Sequence, residues 1–164
     1  MSTVQEQLDF ADPRQFADWV RPHLGAMARL AARLAPGADT EDIVQEALVR
    51  AWVKRRQYDR QRGMPSAWLL AITADQARKA RRRRRTAIEL VDTAGPALTA
   101  DDRLDVERAV ERLPARQRLA VDCVYFVGLS VAETAAVMRC AEGTVKSTLA
   151  DARARLRTLL EVSA

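Results

Sequence analysis

The sequence predicts an all-α protein: two small helical domains joined by a flexible linker, the C-terminal one a helix-turn-helix. Three observations carry this. Apolar residues recur at i, i+3 and i+4 in nearly every segment, and no stretch alternates convincingly at period two. A segment without basic residues and with a Gly-Pro pair, 86–100, divides the chain into 1–85 and 101–164. Near the C-terminus a short capped helix, a turn of about three residues and a longer helix follow one another. The 164 residues suit one ordinary domain or two small ones, and a hydrophobic share of 48% excludes a broadly disordered chain.

The elements follow in order. Asp12-Pro13 supplies an N-cap acceptor and a first-turn proline, and Phe16, Trp19 and Val20 share one face of the helix they open. Pro22 breaks or kinks it. A second helix carries Leu24, Met27, Leu30, Ala31 and Leu34 inward and stops at Ala35-Pro36-Gly37. Asp39 caps a third, with Glu41 and Asp42 at the positive end of its dipole and Ile43, Ala47, Leu48, Ala51 and Trp52 as its apolar positions. The polar stretch 54–66 reads as a loop. A fourth helix starts near Pro65, turns Trp68, Leu69 and Ile72 inward and runs out into the arginines. Beyond the linker come an amphipathic helix ending at Pro114 and a helix over about 115–126 stopped by Gly128. Ser130 and Glu133 then form a capping box on a helix to about Met138. A turn at Arg139–Ala141 leads to a last helix over about 142–160.

The net charge of +5 is unevenly spread. Residues 1–86 sum to +7 and 87–164 to −2, and seven of the eight residues in 78–85 are Arg or Lys. Such a block points to a polyanion, most simply nucleic acid, although a solvated linker or a membrane-surface patch has the same composition. The first residues have neither a cationic start nor an apolar run, and no apolar stretch approaches the roughly 20 residues that span a bilayer, so a cytoplasmic protein with no membrane contact of its own is expected. Cys123 and Cys140 are isolated thiols, Cys123 a small core residue and Cys140 in a turn. His23 is the only histidine, and no nucleophile, metal or phosphate-loop signature accompanies it. No catalytic residue, metal or cofactor is expected.

In the helix-turn-helix, Val145 and Leu149 face inward. Thr144, Lys146, Ser147 and Thr148 then offer hydrogen-bonding groups and a cation to a major groove, with Arg153, Arg155 and Arg157 along the same helix for phosphates. An ordinary helical hairpin with a polar face fits the same pattern.

Two sets of motifs carry a family resemblance. The stretch Leu113-Pro-Ala-Arg-Gln-Arg118, Gly128-Leu-Ser-Val-Ala-Glu133-Thr-Ala135, Glu142-Gly-Thr-Val-Lys-Ser147 and Ala152-Arg-Ala-Arg-Leu156 resembles the fourth conserved region of bacterial sigma factors of the extracytoplasmic-function (ECF) group. Glu41-Asp-Ile-Val-Gln-Glu-Ala-Leu-Val-Arg-Ala-Trp52, and Trp68-Leu-Leu-Ala-Ile72 with the basic run after it, resemble that group's second region. Together the motifs cover 13–160 in the family's order. The resemblance implies a sigma subunit that binds core RNA polymerase, directs it to promoters and melts the −10 region. Its partners are the clamp helices of the largest subunit, the flap region, promoter DNA and an anti-sigma protein, and phosphoryl transfer belongs to the polymerase.

The resemblance also assigns residues. Asp42, Gln45, Glu46 and Arg50 would dock on the polymerase, the first three sharing an outward face. Tyr58, Arg60 and Arg62 would hold melted −10 DNA, joined by Trp68, whose apolar pattern also suits a core position. Arg78, Lys79, Arg81 and Arg82 would follow the upstream duplex. Glu142, Gly143, Thr144, Lys146, Ser147, Thr148, Arg153 and Arg155 would read the −35 element. Departures from the family pattern are Asp75 and Lys79 where Asn and Asp are usual, Ala141 for a capping Ser, and Thr148 for an Arg. A carboxylate at Asp75 is expected to repel phosphate. Two other readings are a stand-alone helix-turn-helix regulator, which needs neither the acidic 41–46 face nor the 54–85 segment, and a nucleic-acid-modifying enzyme, which the lack of catalytic signatures disfavours.

Overall fold

The computed structural model describes residues 11–89 and 102–163, and every element among them is helical. Helix α1 (Pro13–Val20) starts under the Asp12 carboxylate, which accepts the Arg14 N–H at 2.9 Å. Pro22 sits in a 3₁₀ turn over Arg21–His23 that redirects the chain into α2 (Leu24–Leu34). Beyond α2, Gly37 has φ +79°, where a side chain is strained, and the Arg84 guanidinium donates to its carbonyl. Asp39 caps α3 (Thr40–Lys54) by accepting the Asp42 N–H at 3.1 Å. Helix α4 (Pro65–Glu89) carries the whole arginine run and continues four residues into the segment read as linker. No helix breaker intervenes before Gly95-Pro96, so the change in composition at Thr86 does not stop the helix.

In the C-terminal half come α5 (Asp102–Glu111), α6 (Ala115–Val121), α7 (Val131–Met138) and α8 (Glu142–Ser163). The stretch after α6 is not plain α-helix. Asp122–Val127 widens into a π-helical turn that ends at Gly128, φ +81°, whose N–H reaches the Cys123 carbonyl. The Ser130–Glu133 capping box is formed at 3.1 and 2.8 Å. No described helix is long and apolar enough to cross a membrane.

Two apolar cores result, and the first belongs to both halves. Met27 and Leu30 of α2, Ile43 and Ala47 of α3, and Leu69, Leu70 and Ala77 of α4 pack with Cys123, Val127, Leu129 and Val137 from beyond the linker. The second core, Val110, Leu113, Val121, Met138, Val145, Leu149 and Ala152, closes the helix-turn-helix on itself. Helix α7 therefore lies on α4, and the π turn on α2.

Polar contacts frame this seam. Arg33 of α2 donates to Asp122 at 2.8 Å, lies 3.7 Å from Glu107, and stacks its guanidinium 3.7 Å over the Phe126 ring. Burial lifts the Asp122 carboxyl above its ordinary range, and Arg33 opposes that only in part. Burial, with Asp122 adjoining, pushes the Cys123 thiol up to about 12, leaving it an unreactive core group. At the other end, Arg78 donates to the Val137 carbonyl at 2.9 Å and to Asp75 at 3.0 Å, and Asp75 accepts Arg139 at 2.5 Å.

Candidate nucleic-acid and partner-helix interfaces

On α3, the residues that pack inward are Ile43, Ala47 and Ala51, four apart. This leaves Asp42, Gln45, Glu46 and Arg50 exposed on the other side. The same face continues with Val49 and Val53, 59% and 68% exposed. Positions 42, 46, 49 and 53 follow the i, i+4, i+7, i+11 rule of a single stripe. An outward stripe of two carboxylates running into two valines is suited to a basic, amphipathic partner helix rather than to water alone. Both valines escaped the sequence reading because inward apolar positions already accounted for the helix; their spacing from Asp42 was the available signal.

The segment after α3 is held by aromatic rings. Tyr58 lies 5.2 Å from Trp19 and 5.3 Å from Trp68, and Trp19 lies 6.1 Å from Trp68. Trp68 is half-buried in this cluster, which agrees with its apolar spacing. Tyr58 is half-buried too, and its hydroxyl donates to the Gly63 carbonyl at 3.2 Å, so the ring belongs to the loop's own support as well as to its surface. Burial raises its hydroxyl pKa. Arg60 and Arg62 project into solvent, with Asp59 3.5 Å from Arg62.

Farther along α4, Lys79 is half-buried, and Arg81 and Arg82 are exposed. Arg78 departs from the expectation of a cation free for the duplex: its guanidinium is turned onto α7 by Val137 and Asp75. Asp75 departs likewise. The carboxylate expected to repel phosphate is used by two guanidinium groups, one from each half of the chain.

Recognition-type geometry is present in α7–α8. Arg139 takes a left-handed conformation at φ 53°, which makes the turn tight, and the Ala141 carbonyl accepts the Thr144 and Val145 N–H groups at 3.0 and 3.2 Å. Val145 and Leu149 are buried as their spacing requires. Glu142, Gly143, Thr144, Lys146 and Ser147 are exposed. Thr148 is half-buried rather than outward, its hydroxyl donating to the Thr144 carbonyl at 2.7 Å, because it sits next to the buried side of the helix. Arg153 and Arg155 are both exposed but leave from different sides: Arg153 follows Lys146 by seven residues and meets the Tyr125 hydroxyl at 3.2 Å, whereas Arg155 follows Thr144 and Thr148.

The sigma-70 region 2 model matches residues 19–87 and the sigma-70 region 4 model residues 103–156. The ECF RNA polymerase sigma factor SigM of Mycobacterium tuberculosis is 37% identical over 142 residues, covering 84% of this chain and 71% of that protein. The chain belongs to the ECF sigma factors. EcfG of Rhodopseudomonas palustris is 34% identical, over 84% of this sigma factor and 80% of EcfG. Among solved structures, CnrH in complex with the cytosolic domain of CnrY superposes with a TM-score of 0.67 at 28% identity, over 94% of this sigma factor and 92% of CnrH. RpoE from Bartonella quintana, solved with the anti-sigma factor NepR, superposes at 0.65 with 30% identity, over 92% and 99% of the two chains.

The sigma factor's two conserved regions therefore meet along α4 and α7. The motifs of each region were legible in the sequence, but not this contact. It rests on pairs such as Arg33–Asp122 and Asp75–Arg139, separated by 89 and 64 positions, which no local pattern announces.

Proposed function

We propose that this sigma factor binds core RNA polymerase, directs it to specific promoters and melts the −10 region. Residues 1–85 form the polymerase-docking and −10 domain, 86–100 the linker and 101–164 the −35 domain. Asp42, Gln45, Glu46 and Arg50 dock on the clamp helices of the largest subunit, with Val49 and Val53 adding apolar contact. Tyr58, Arg60, Arg62 and Trp68 face the melted strand, with Lys79, Arg81 and Arg82 on the upstream backbone and Arg78 joining them only once α7 leaves α4. The start of α8 reads the −35 element, and the C-terminal domain meets the polymerase flap. The observation that carries this reading is that one chain exposes both the acidic–apolar stripe of α3 and the polar start of α8, because a regulator acting without polymerase has no use for the first.

The protein itself is not an enzyme in this reading, and it acts in the cytoplasm, where the polymerase is. An anti-sigma partner is part of the proposal, supported by the likeness to RpoE solved with NepR. The test is transcription in vitro from a promoter library, with and without this protein added to core polymerase. Promoter-specific initiation should appear only with it. Replacing Lys146 and Ser147 by Ala should cut output from −35-dependent promoters about tenfold, the effect of one or two lost groove contacts. No gain over core polymerase alone would end the proposal.

A further inference from the structure

Where α3, α4 and the end of α7 converge, the surface forms a half-open pocket of about 340 Å³. Its charge is lopsided. Arg50 and Lys54 enter from α3, Arg78, Lys79 and Arg82 from α4, and Arg139 from α7, against one carboxylate, Asp75. That carboxylate is already shared between Arg78 and Arg139 at 3.0 and 2.5 Å. Arg50, Lys54, Lys79 and Arg82 form no ion pair among the described residues. Six like charges around one small volume create a positive potential that water and salt screen in part and that a multivalent anion would neutralise more completely.

We propose that this cavity binds a compact polyphosphate, either inorganic or the polyphosphate tail of a nucleotide, and that the bound anion ties the two halves of the protein together. A surplus of five positive charges exceeds what one phosphate group neutralises, so at least two linked groups are called for. Four guanidinium groups match phosphate oxygens in a way that single ammonium groups do not. The volume lies at the small-ligand end of the range of about 300–1,000 Å³. A volume of about 340 Å³ is far too small to admit duplex DNA. Arg139 holds a left-handed backbone that Gly or Asn adopts more easily, so its side chain is present at a conformational cost. The anion would compete with promoter DNA for Arg78, Lys79 and Arg82 while adding Arg50, Lys54 and Arg139, which the upstream duplex does not use. Because Arg139 reaches the cavity only when α7 lies on α4, the ligand selects the closed arrangement.

The experiment is titration calorimetry of the full chain with inorganic tripolyphosphate, at an ionic strength held constant with chloride. One-to-one binding is expected, at least tenfold tighter than for sulfate and stronger in the order phosphate, pyrophosphate, tripolyphosphate. Arg139→Gly keeps the left-handed turn and should weaken binding about tenfold, as should Lys54→Gln. Arg83→Ala, in the same arginine run but outside the cavity lining, should leave affinity unchanged. A nucleoside triphosphate as a second titrant tells a nucleotide tail from an inorganic source, since a base that contributes will tighten binding further. Binding no stronger than sulfate, or lost as much in Arg83→Ala as in Arg139→Gly, would reflect diffuse attraction to the arginine run and overturn the proposal. So would displacement of tripolyphosphate by single-stranded DNA with equal strength in wild type and Arg139→Gly, which would make the cavity part of the DNA path.

Discussion

At the scale of single residues, Arg33 shows how one side chain can hold a seam. Its stem lies on α2, its guanidinium meets Asp122 at 2.8 Å, and its face covers Phe126. Asp122 is only 6% exposed, so truncating its hydrogen-bonded partner leaves a buried carboxylate offset only by the charges of Arg118 and Arg81. Arg33→Ala should therefore cost about 2 kcal/mol in urea unfolding at neutral pH, a value reduced from that of a fully buried pair because Arg33 itself is partly exposed. Since burial raises the Asp122 pKa, the variant's deficit should shrink as pH falls and the carboxylate takes up its proton. Glu133 behaves in the opposite sense. Burial alone would lift its pKa, but the Ser130 N–H and the Ser66 hydroxyl both bond the carboxylate and hold it below the ordinary value of 4.5. A depressed carboxylate stabilises the fold above its unfolded pKa and loses that contribution as pH falls through the folded one. The Tm difference between wild type and Glu133→Gln should be largest at neutral pH and shrink as pH falls below 4.5, as calorimetric scans across the acid range would show.

At the scale of elements, the helix ends were the most legible part of the sequence. Asp12, Asp39 and the Ser130–Glu133 box each satisfy backbone donors through one side chain a few positions away, a local chemistry that a sequence reveals directly. The π turn was not legible. A widened turn needs only a shift of hydrogen-bond partner from four residues back to five, and residues 122–127 have the same apolar character as an α-helix. The inward face of α3 was readable for the same reason that its outward valines were missed: amphipathic spacing reports what packs within the chain, not what awaits a partner. That stripe yields a prediction. Reversing charge at Asp42 and Glu46 should weaken binding to core polymerase at least tenfold, and Val49→Ser with Val53→Ser should do so again at unchanged net charge, if each valine loses about 1–1.5 kcal/mol of apolar burial. Fluorescence anisotropy of labelled protein titrated with core enzyme measures both, and unchanged affinity would remove the docking role from α3.

At the scale of the whole molecule, composition located the basic block and the division of the chain but could not say that the halves share a core. A compact chain of this length has a radius of gyration of about 15 Å and a width near 40 Å, whereas positions −10 and −35 lie about 85 Å apart at 3.4 Å per base pair. If the two halves read the two elements as proposed, the closed arrangement cannot span both, and α7 is expected to leave α4 on a promoter. Val137, 1% exposed at the seam, gives access to that step. Val137→Asp should separate the halves, raising the radius of gyration measured by small-angle scattering by several ångströms and splitting a single unfolding transition into two. The shared core also bears on the birth of the chain. Leu70 shares its core with Val137, which the ribosome adds 67 positions later. At 5–20 residues per second, the apolar face of α4 stays open for roughly 3–13 s. During that interval the nascent N-terminal half presents the surface that its own C-terminal half will later claim, and a waiting chaperone or polymerase would meet it first.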